Sequence, residues 1–467
     1  MSSGNDRTFV LKNCTCVTAT DTFLSDLCIR GGLITGIGTD LTGDDVYDVN
    51  YRVVTPGGVD AHCHIEQPAD DGGRQTVDDF PSATAAAAHG GTTTIIPFAL
   101  QQRGQRLLDA IRRYTTQVES RSYVDYGIHS IITDTCNGNT VKDIPEAIKM
   151  GYPSFKIYMT YDSLRMNDYD ILSLIEVISE HGGLAMIHAE NADCISWMTD
   201  RLLSRGLKAP ICHALSRPPL VEREAAYRAI VLSELAMAPI LLVHVSGGKT
   251  IDVIRDAKLS GKPVFSETCP QYLLLTSADL GNETEHNGGE KYVCSPPPRD
   301  KESQESLWNA MRTGDINIVS SDHVAFNYEK GDKIQDDFST VPNGVPGLET
   351  RLPLLYTYGV QANKITLNKF VDLTATTPAK IYGLYPKKGT IAIGSDADLV
   401  VWDERNSVIS FADLHQKVNY TPYEGVPLRV WPAIVILRGK IIISDRSIRK
   451  TYGGAFVQRK GLVLPSY

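Results

Sequence analysis

Val53-Val54-Thr55-Pro56-Gly57-Gly58-Val59-Asp60-Ala61-His62-Cys63-His64 is an apolar, β-branched run that ends in two imidazoles spaced by one residue. Side chains alternate along an extended strand, so His62 and His64 point to the same side of it. The run Val53–Val59 reads as the first of eight apolar strands. The others are centred on Thr93–Pro97, Gly127–Ile132, Ser154–Tyr158, Leu184–His188, Ile240–His244, Val264–Glu267 and Ile318–Asp322. Amphipathic segments of helical length intervene: Asp79–His89, Leu107–Val118, Asp168–His181, Glu222–Leu235, Thr250–Ser260 and Glu302–Thr313. Gly90, Gly182, Gly261 and Gly314 follow four of these, where a glycine commonly closes a helix. Strand-then-helix repeated eight times predicts an α/β fold, a (β/α)8 TIM barrel.

Outside the barrel the texture changes. Phe9–Leu11, Cys14–Ala19, Leu27–Arg30 and Leu33–Ile37 are short β-rich runs separated by Gly, Asn and Asp. A similar texture returns in Thr390–Ile393, Asp398–Trp402, Ala433–Leu437 and Ile441–Ser444. The two ends are expected to build one small β-sandwich from residues 1–54 and 389–467, with the barrel occupying 55–388. The chain of 467 residues is 42% hydrophobic and 22% charged, which suits a globular core and excludes disorder. A net charge of -9 and the lack of Lys/Arg-rich runs argue against nucleic acid. No apolar run is long enough to span a bilayer, and Met1–Leu11 lacks the apolar stretch of a secretory signal. Nine cysteines without a CxxC pair read as free thiols of the cytoplasm.

Polar residues stand where such a barrel puts its chemistry. His62 and His64 follow strand one, Lys156 lies in strand four, His188 ends strand five, His244 strand six and Asp322 strand eight. These are C-terminal strand ends, the face on which barrel enzymes build their sites. Taken singly, each histidine reads as a hydrogen-bonded core residue. Four imidazoles and a carboxylate converging together offer the N and O donors of zinc or a similar metal. His89, His129, His181, His213, His286, His323 and His415 read as structural or surface residues. Lys156 sits in the apolar run Ser154-Phe155-Lys156-Ile157-Tyr158-Met159, where desolvation favours the neutral amine. Such an amine beside two metals can take up carbon dioxide as a carbamate; equally, it can snorkel or pair with a carboxylate.

The residues resemble the cyclic amidohydrolases of the dihydropyrimidinase and hydantoinase type, within the amidohydrolase superfamily. The matching segments are Pro56–His64, Phe155–Tyr161, Ile187–Glu190, Val243–Ser246, Cys294–Arg299, Ser321–His323 and Pro342–Glu349, in family order over nearly the whole chain. The resemblance implies two divalent metal ions, zinc, held by His62, His64, Lys156 as N6-carboxylysine, His188, His244 and Asp322. It implies a hydroxide between the metals, Asp322 as general base and then acid, and Tyr161 as donor to the developing oxyanion. Ser295 and Asn343 would hold the ring amide through backbone groups. The substrate expected is a small cyclic ureide or imide, a dihydropyrimidine or 5-substituted hydantoin, opened to an N-carbamoyl amino acid. A homotetramer is implied, and the apolar tail Gly461–Pro465 suits such an assembly.

The pattern also departs from that family. Dihydroorotases place an Arg two residues beyond the second His to hold a substrate carboxylate; Glu66 stands here and is expected to repel one. The stretches Glu66–Arg74 and Ile96–Gln102 differ from the familiar loops and are expected to line the exocyclic side of the substrate. Cyclic imidase and allantoinase are the near alternatives. A mononuclear deaminase would not require Lys156, and a non-catalytic scaffold would have lost metal ligands that this chain keeps.

Overall fold

A computed structural model describes residues 7–68, 74–135, 138–283, 288–449 and 451–462. His286, Cys136, residues 69–73 of the Glu66–Arg74 stretch and residues 463–465 of the expected tail lie outside these. The barrel is a parallel sheet in the order expected of βα repeats: Gly58–His64, Thr92–Leu100, His129–Ile132, Ser154–Tyr158, Leu184–His188, Ile240–Leu242, Val264–Thr268 and an eighth strand in two pieces, Ile318–Val319 and His323–Val324. Ile318–Val319 pairs with strand seven and His323–Val324 pairs with strand one, so the eighth strand closes the barrel. Parallel strands covered on both faces carry apolar residues on both, which is why these runs read as continuous.

The helices form where the sequence places them. Asp79 caps Phe80–His89 by accepting from the Ser82 N–H at 2.9 Å, and Asp300 caps Lys301–Thr313 through the Ser303 N–H at 2.8 Å. Leu107–Val118 buries Leu107, Leu108, Ile111, Tyr114 and Val118 along one stripe. Gly182, Gly261 and Gly314 are left-handed as expected. Gly90 is not: its φ is -78°, and Gly91 supplies the left-handed turn at φ 84°. What Gly90 provides is closeness, since a Cβ there would meet the Glu349 carbonyl oxygen at 2.3 Å.

The expected first strand is in fact two. Val53–Pro56 pairs with Thr15–Cys16 and, antiparallel, with Leu399–Val401, so it belongs to the terminal sheet. Pro56 has no N–H to continue the ladder, and Gly57 packs so tightly on Thr93 that no Cβ fits. Among the described residues the terminal sheet has nine strands: Thr8–Val17, Thr22–Arg30, Leu33–Gly38, Asp45–Asp48 and Val53–Pro56, then Leu399–Val408, Pro427–Leu437, Lys440–Ser444 and Ser447–Ile448. Leu11, Leu27 and Val54 from its first half share one core with Leu399, Val401 and Ile434 from its second, so the expected sandwich is one continuous sheet built from both ends of the chain. Thr390–Ile393 is not a strand; Ile391 joins the core that contains Ile34, and the residues just after it, Gly394–Asp396, meet Leu33–Ile34 through backbone bonds and an isolated bridge.

Two buried charge clusters fix the frame. Arg351, fully buried, donates to the Val319 carbonyl at 2.8 Å and to Thr92 Oγ1 at 2.9 Å, tying strands two and eight. Lys388 Nζ lies 2.5 Å from Asp125, 2.8 Å from Asp396 and 2.5 Å from Asp398, joining barrel to sandwich. Gly461 and Leu462 lie against the same chain's own barrel, with the Leu462 N–H donating to the Gly182 carbonyl at 2.8 Å. Among the described residues no helix is long and apolar enough to cross a membrane.

Candidate metal centre

Strand alternation does bring His62 and His64 to one side, with ring centroids 5.4 Å apart. Three other expected site residues stand at backbone positions that L side chains rarely adopt: Tyr161 at φ 65°, His244 at φ 40° and Asp322 at φ 48°. Such conformations cost on the order of 1–3 kcal/mol each and persist where the surroundings enforce them. At Asp322 the enforcing contact is its own N–H donating to the His62 carbonyl at 2.9 Å, within the gap between the two pieces of strand eight.

The side chains converge. His62 Nε2 lies 2.7 Å from Lys156 Nζ and 3.1 Å from Asp322 Oδ1, and His64 Nε2 lies 3.5 Å from the same Oδ1. His188 Nδ1 and His244 Nε2 stand 2.9 Å apart, and the His62 and His244 rings are 5.5 Å apart. All six residues are buried. His62, His64 and Asp322 offer ligand atoms within 4.8 Å of one another.

The imidazoles are also held from behind. His62 Nδ1 meets Glu267 Oε1 at 2.6 Å, His188 Nε2 meets Glu190 Oε2 at 2.9 Å, and His64 Nδ1 meets the side-chain amide oxygen Oε1 of Gln67. Glu267 further accepts from the His244 N–H at 3.2 Å and the Ser320 hydroxyl at 2.9 Å. Carboxylates in this position fix the tautomer and ring plane of metal-binding histidines. None of Glu267, Glu190 and Gln67 was anticipated as a site residue. The available signal was an ionisable Glu267 near the end of a buried strand, the same signal that marked Lys156.

Burial depresses Lys156 to about 8, against the attraction of Asp322 and Glu267, so a substantial neutral fraction exists near neutral pH. Burial and the neighbouring Lys156 bring His64 down to about 4 and hold His188 well below the usual histidine value, and burial with the adjacent His188 does the same to His244. His62 is opposed by burial and Lys156 as well, but Glu267 and Asp322 outweigh them and raise it. Asp322 is desolvated, yet His62 and His64 hold it well below the ordinary carboxylate range. The donors are thus mostly neutral imidazoles around an ionised carboxylate, which fits a borderline divalent ion. His244 Nδ1 is buried and lacks a protein partner.

The cluster opens into a cavity of about 90 Å³ at the C-terminal mouth of the barrel, lined also by Tyr161, Ser295 and Asn343. Leu100, Ile131, Leu164, Val324 and Phe326 form its apolar side. The Tyr161 ring packs edge-on against His188 at 5.4 Å. Glu66 is not part of the wall, so the expected repulsion of a substrate carboxylate has no basis. At φ 48° its chain turns outward, and its carboxylate pairs with Arg121 and accepts from the Phe80 N–H at 3.1 Å. Gln67 and Pro68 face the cavity instead. From Ile96–Gln102, Leu100 lines it, while Gln101 is buried and bonds Thr140 at 2.9 Å.

The remaining described histidines stand elsewhere. His129 bridges Ser154 Oγ at 2.6 Å and the Ala61 carbonyl at 2.9 Å, His323 meets Asp78 at 3.2 Å, and His89 stacks on His415. A second acidic cluster, Asp125, Asp396 and Asp398, surrounds the ammonium of Lys388.

Residues 53–442 match the model of the amidohydrolase family. The chain is 42% identical over 450 residues to a D-hydantoinase of Rhizobium radiobacter, covering 96% of each. It is 42% identical to a D-hydantoinase of Geobacillus stearothermophilus over 97% of this chain and 96% of that one. Its fold superposes with a TM-score of 0.95 on the crystal structure of dihydropyrimidinase from Brevibacillus agri, 37% identical, covering 98% of this chain and all of that one.

Proposed function

The chain belongs to the amidohydrolase family, and on that basis we propose that it is a metal-dependent cyclic amidohydrolase opening dihydropyrimidines and 5-substituted hydantoins. The observation that carries this is the convergence of His64, Lys156, His188, His244 and Asp322 on one cavity that Tyr161, Ser295 and Asn343 also line, with His62 against Lys156 and Asp322 just behind it. His62, His64, His188, His244, Asp322 and Lys156, the last as its N6-carboxy derivative, would hold two zinc ions. The neutral Lys156 amine attacks carbon dioxide, an N–C bond forms and a proton leaves to solvent. Bound metals would supply Lewis acidity and an acidified water.

The chain's own groups do the rest. The apolar wall places the ring and sheds bulk water, while backbone groups of Ser295 and Asn343 hold the ring amide. Asp322, ionised at neutral pH, accepts a proton from the attacking water as its oxygen bonds the ring carbonyl carbon. Tyr161 donates its O–H to the oxygen that becomes negative. Asp322 returns the proton to the ring nitrogen as the C–N bond breaks, leaving a carboxylate and a free ureido end. All these groups come from one chain, so the homotetramer we infer would stabilise the site without completing it. The eight described cysteines are free thiols, which supports a cytoplasmic location.

The test is ring opening of dihydrouracil, both enantiomers of 5-phenylhydantoin, allantoin, succinimide and dihydroorotate by zinc-loaded protein. Turnover of the first two classes supports the reading; exclusive turnover of succinimide or allantoin would replace it by a cyclic imidase or an allantoinase.

A further inference from the structure

His213 is one of the histidines that the sequence gives no role. It lies on the short helix Ile211–Ser216 and is 1% exposed. Its Nε2 is 2.9 Å from the Cys294 carbonyl oxygen and 3.2 Å from Ser295 Oγ, and its Nδ1 is 3.2 Å from Arg217 Nη1. A guanidinium can only donate, so Nδ1 accepts and the ring proton sits on Nε2, which donates to Cys294. Burial and the adjacent Arg217 charge hold the imidazole neutral.

We propose that His213, with its tautomer set by Arg217, is a positioning residue that fixes the direction of the Cys294–Ser295 peptide, and so of the backbone that holds the substrate ring. The peptide is planar and its C=O and N–H point opposite ways. Anchoring the Cys294 carbonyl on His213 therefore aims the Ser295 N–H away from His213. His213 and Arg217 line an adjoining polar cavity, which shares Tyr161 and Asn343 with the reaction cavity that Ser295 lines. The far end of the segment is pinned as well. Arg299 is buried, donates to the Arg217 carbonyl, lies 2.9 Å from Ser246 Oγ and 3.2 Å from Glu222, and Glu222 accepts from the Ser246 N–H at 2.8 Å. Ser246 lies two residues beyond His244. The ring-holding segment is thereby registered against the metal-binding face through buried and half-buried hydrogen bonds and the Arg299–Glu222 ion pair.

This inference rests on the reading that Ser295 holds the ring amide, so two readouts are needed. In the zinc-loaded enzyme, His213→Leu is expected to raise KM for dihydrouracil by about tenfold, the loss of one hydrogen bond's worth of alignment. The change in kcat should stay within about threefold, with metal per chain unchanged. His213→Gln keeps an N–H donor and should recover most of the loss. Arg217→Met, at a half-buried position, should raise KM by a smaller factor and serves if the leucine variant does not fold. An unchanged KM in His213→Leu, or equal impairment of the Leu and Gln variants, overturns the proposal. Independently of any substrate, imidazole ¹⁵N resonances of the holoenzyme should show His213 as the neutral Nε2–H form from pH 6 to 8. The other tautomer or an imidazolium overturns it. A wild-type enzyme silent on every ureide would sink the function reading alone, while the tautomer still decides for or against the clamp.

Discussion

Replacing Glu267 by Gln should weaken metal binding about tenfold without unfolding the protein. Glu267 is fully buried and accepts three hydrogen bonds, from His62 Nδ1–H, the His244 N–H and the Ser320 hydroxyl. The amide is isosteric: its oxygen can keep the first two bonds, and its NH₂ can donate to Ser320 Oγ. What disappears is the negative charge behind His62. Hydrogen bonds to a charged partner are worth ~1.5–3 kcal/mol against ~0.5–1.5 for neutral ones, so the loss is about 1–1.5 kcal/mol, close to a factor of ten. Glu267→Ala instead strands His62 Nδ1–H and the His244 N–H in a dry site, and a loss of about 100-fold or more is expected, with lowered stability. Competition with a chelating dye measures the affinity, and thermal melting checks the fold. A glutamine variant that binds zinc as tightly as the parent, or as poorly as the alanine variant, would refute the reasoning.

Lys156→Ala should lose metal and turnover together, and bicarbonate should not rescue it; two metals bound with full activity would remove the carboxylated lysine. Because Lys156 is held at about 8, its reactive neutral form grows about tenfold per pH unit below that point. At a fixed concentration of dissolved carbon dioxide, reconstitution of apoprotein should therefore accelerate with rising pH and flatten above it. Tyr161→Phe should lower kcat by ~10² with metal content unchanged, as loss of one oxyanion donor does; an unaltered kcat excludes Tyr161 from the mechanism. Lys388→Met leaves Asp125, Asp396 and Asp398 buried without their shared cation, and denaturant unfolding should show a loss of ~3–5 kcal/mol. Burial already raises Asp398 to about 6, so protonation should shrink that deficit as pH falls; a deficit that grows towards acid would contradict the cluster's role.

Local pattern carried much of this architecture. Strand and helix periods, and caps such as Asp79 and Asp300, are properties of neighbouring residues, and they placed His62, His64, Lys156, His188, His244 and Asp322 at the barrel mouth. What stayed hidden depends on partners distant in sequence or on a single unusual dihedral. Glu267 meets His62 across 205 residues, and nothing near either position signals the pairing. Glu66 was misjudged because strand alternation stops at its positive φ, which swings the carboxylate to Arg121. The break between Val53–Pro56 and Gly58–His64 was legible in principle, because Pro56 cannot donate to a ladder. Asp322 divides strand eight by a left-handed residue, a conformation Asp tolerates better than most but that nothing in its neighbours signals. His213 reads as an ordinary buried histidine until the Cys294 carbonyl, 81 residues away, is seen beside it.

The most direct test of the central claim is a titration of metal-free protein with zinc in bicarbonate buffer, following ring opening of D-5-phenylhydantoin against zinc bound per chain. Two ions shared among His62, His64, Lys156, His188, His244 and Asp322 predict activity that rises with zinc and breaks at two equivalents. A break at one equivalent, or no ring opening with two ions bound, would contradict a binuclear cyclic amidohydrolase.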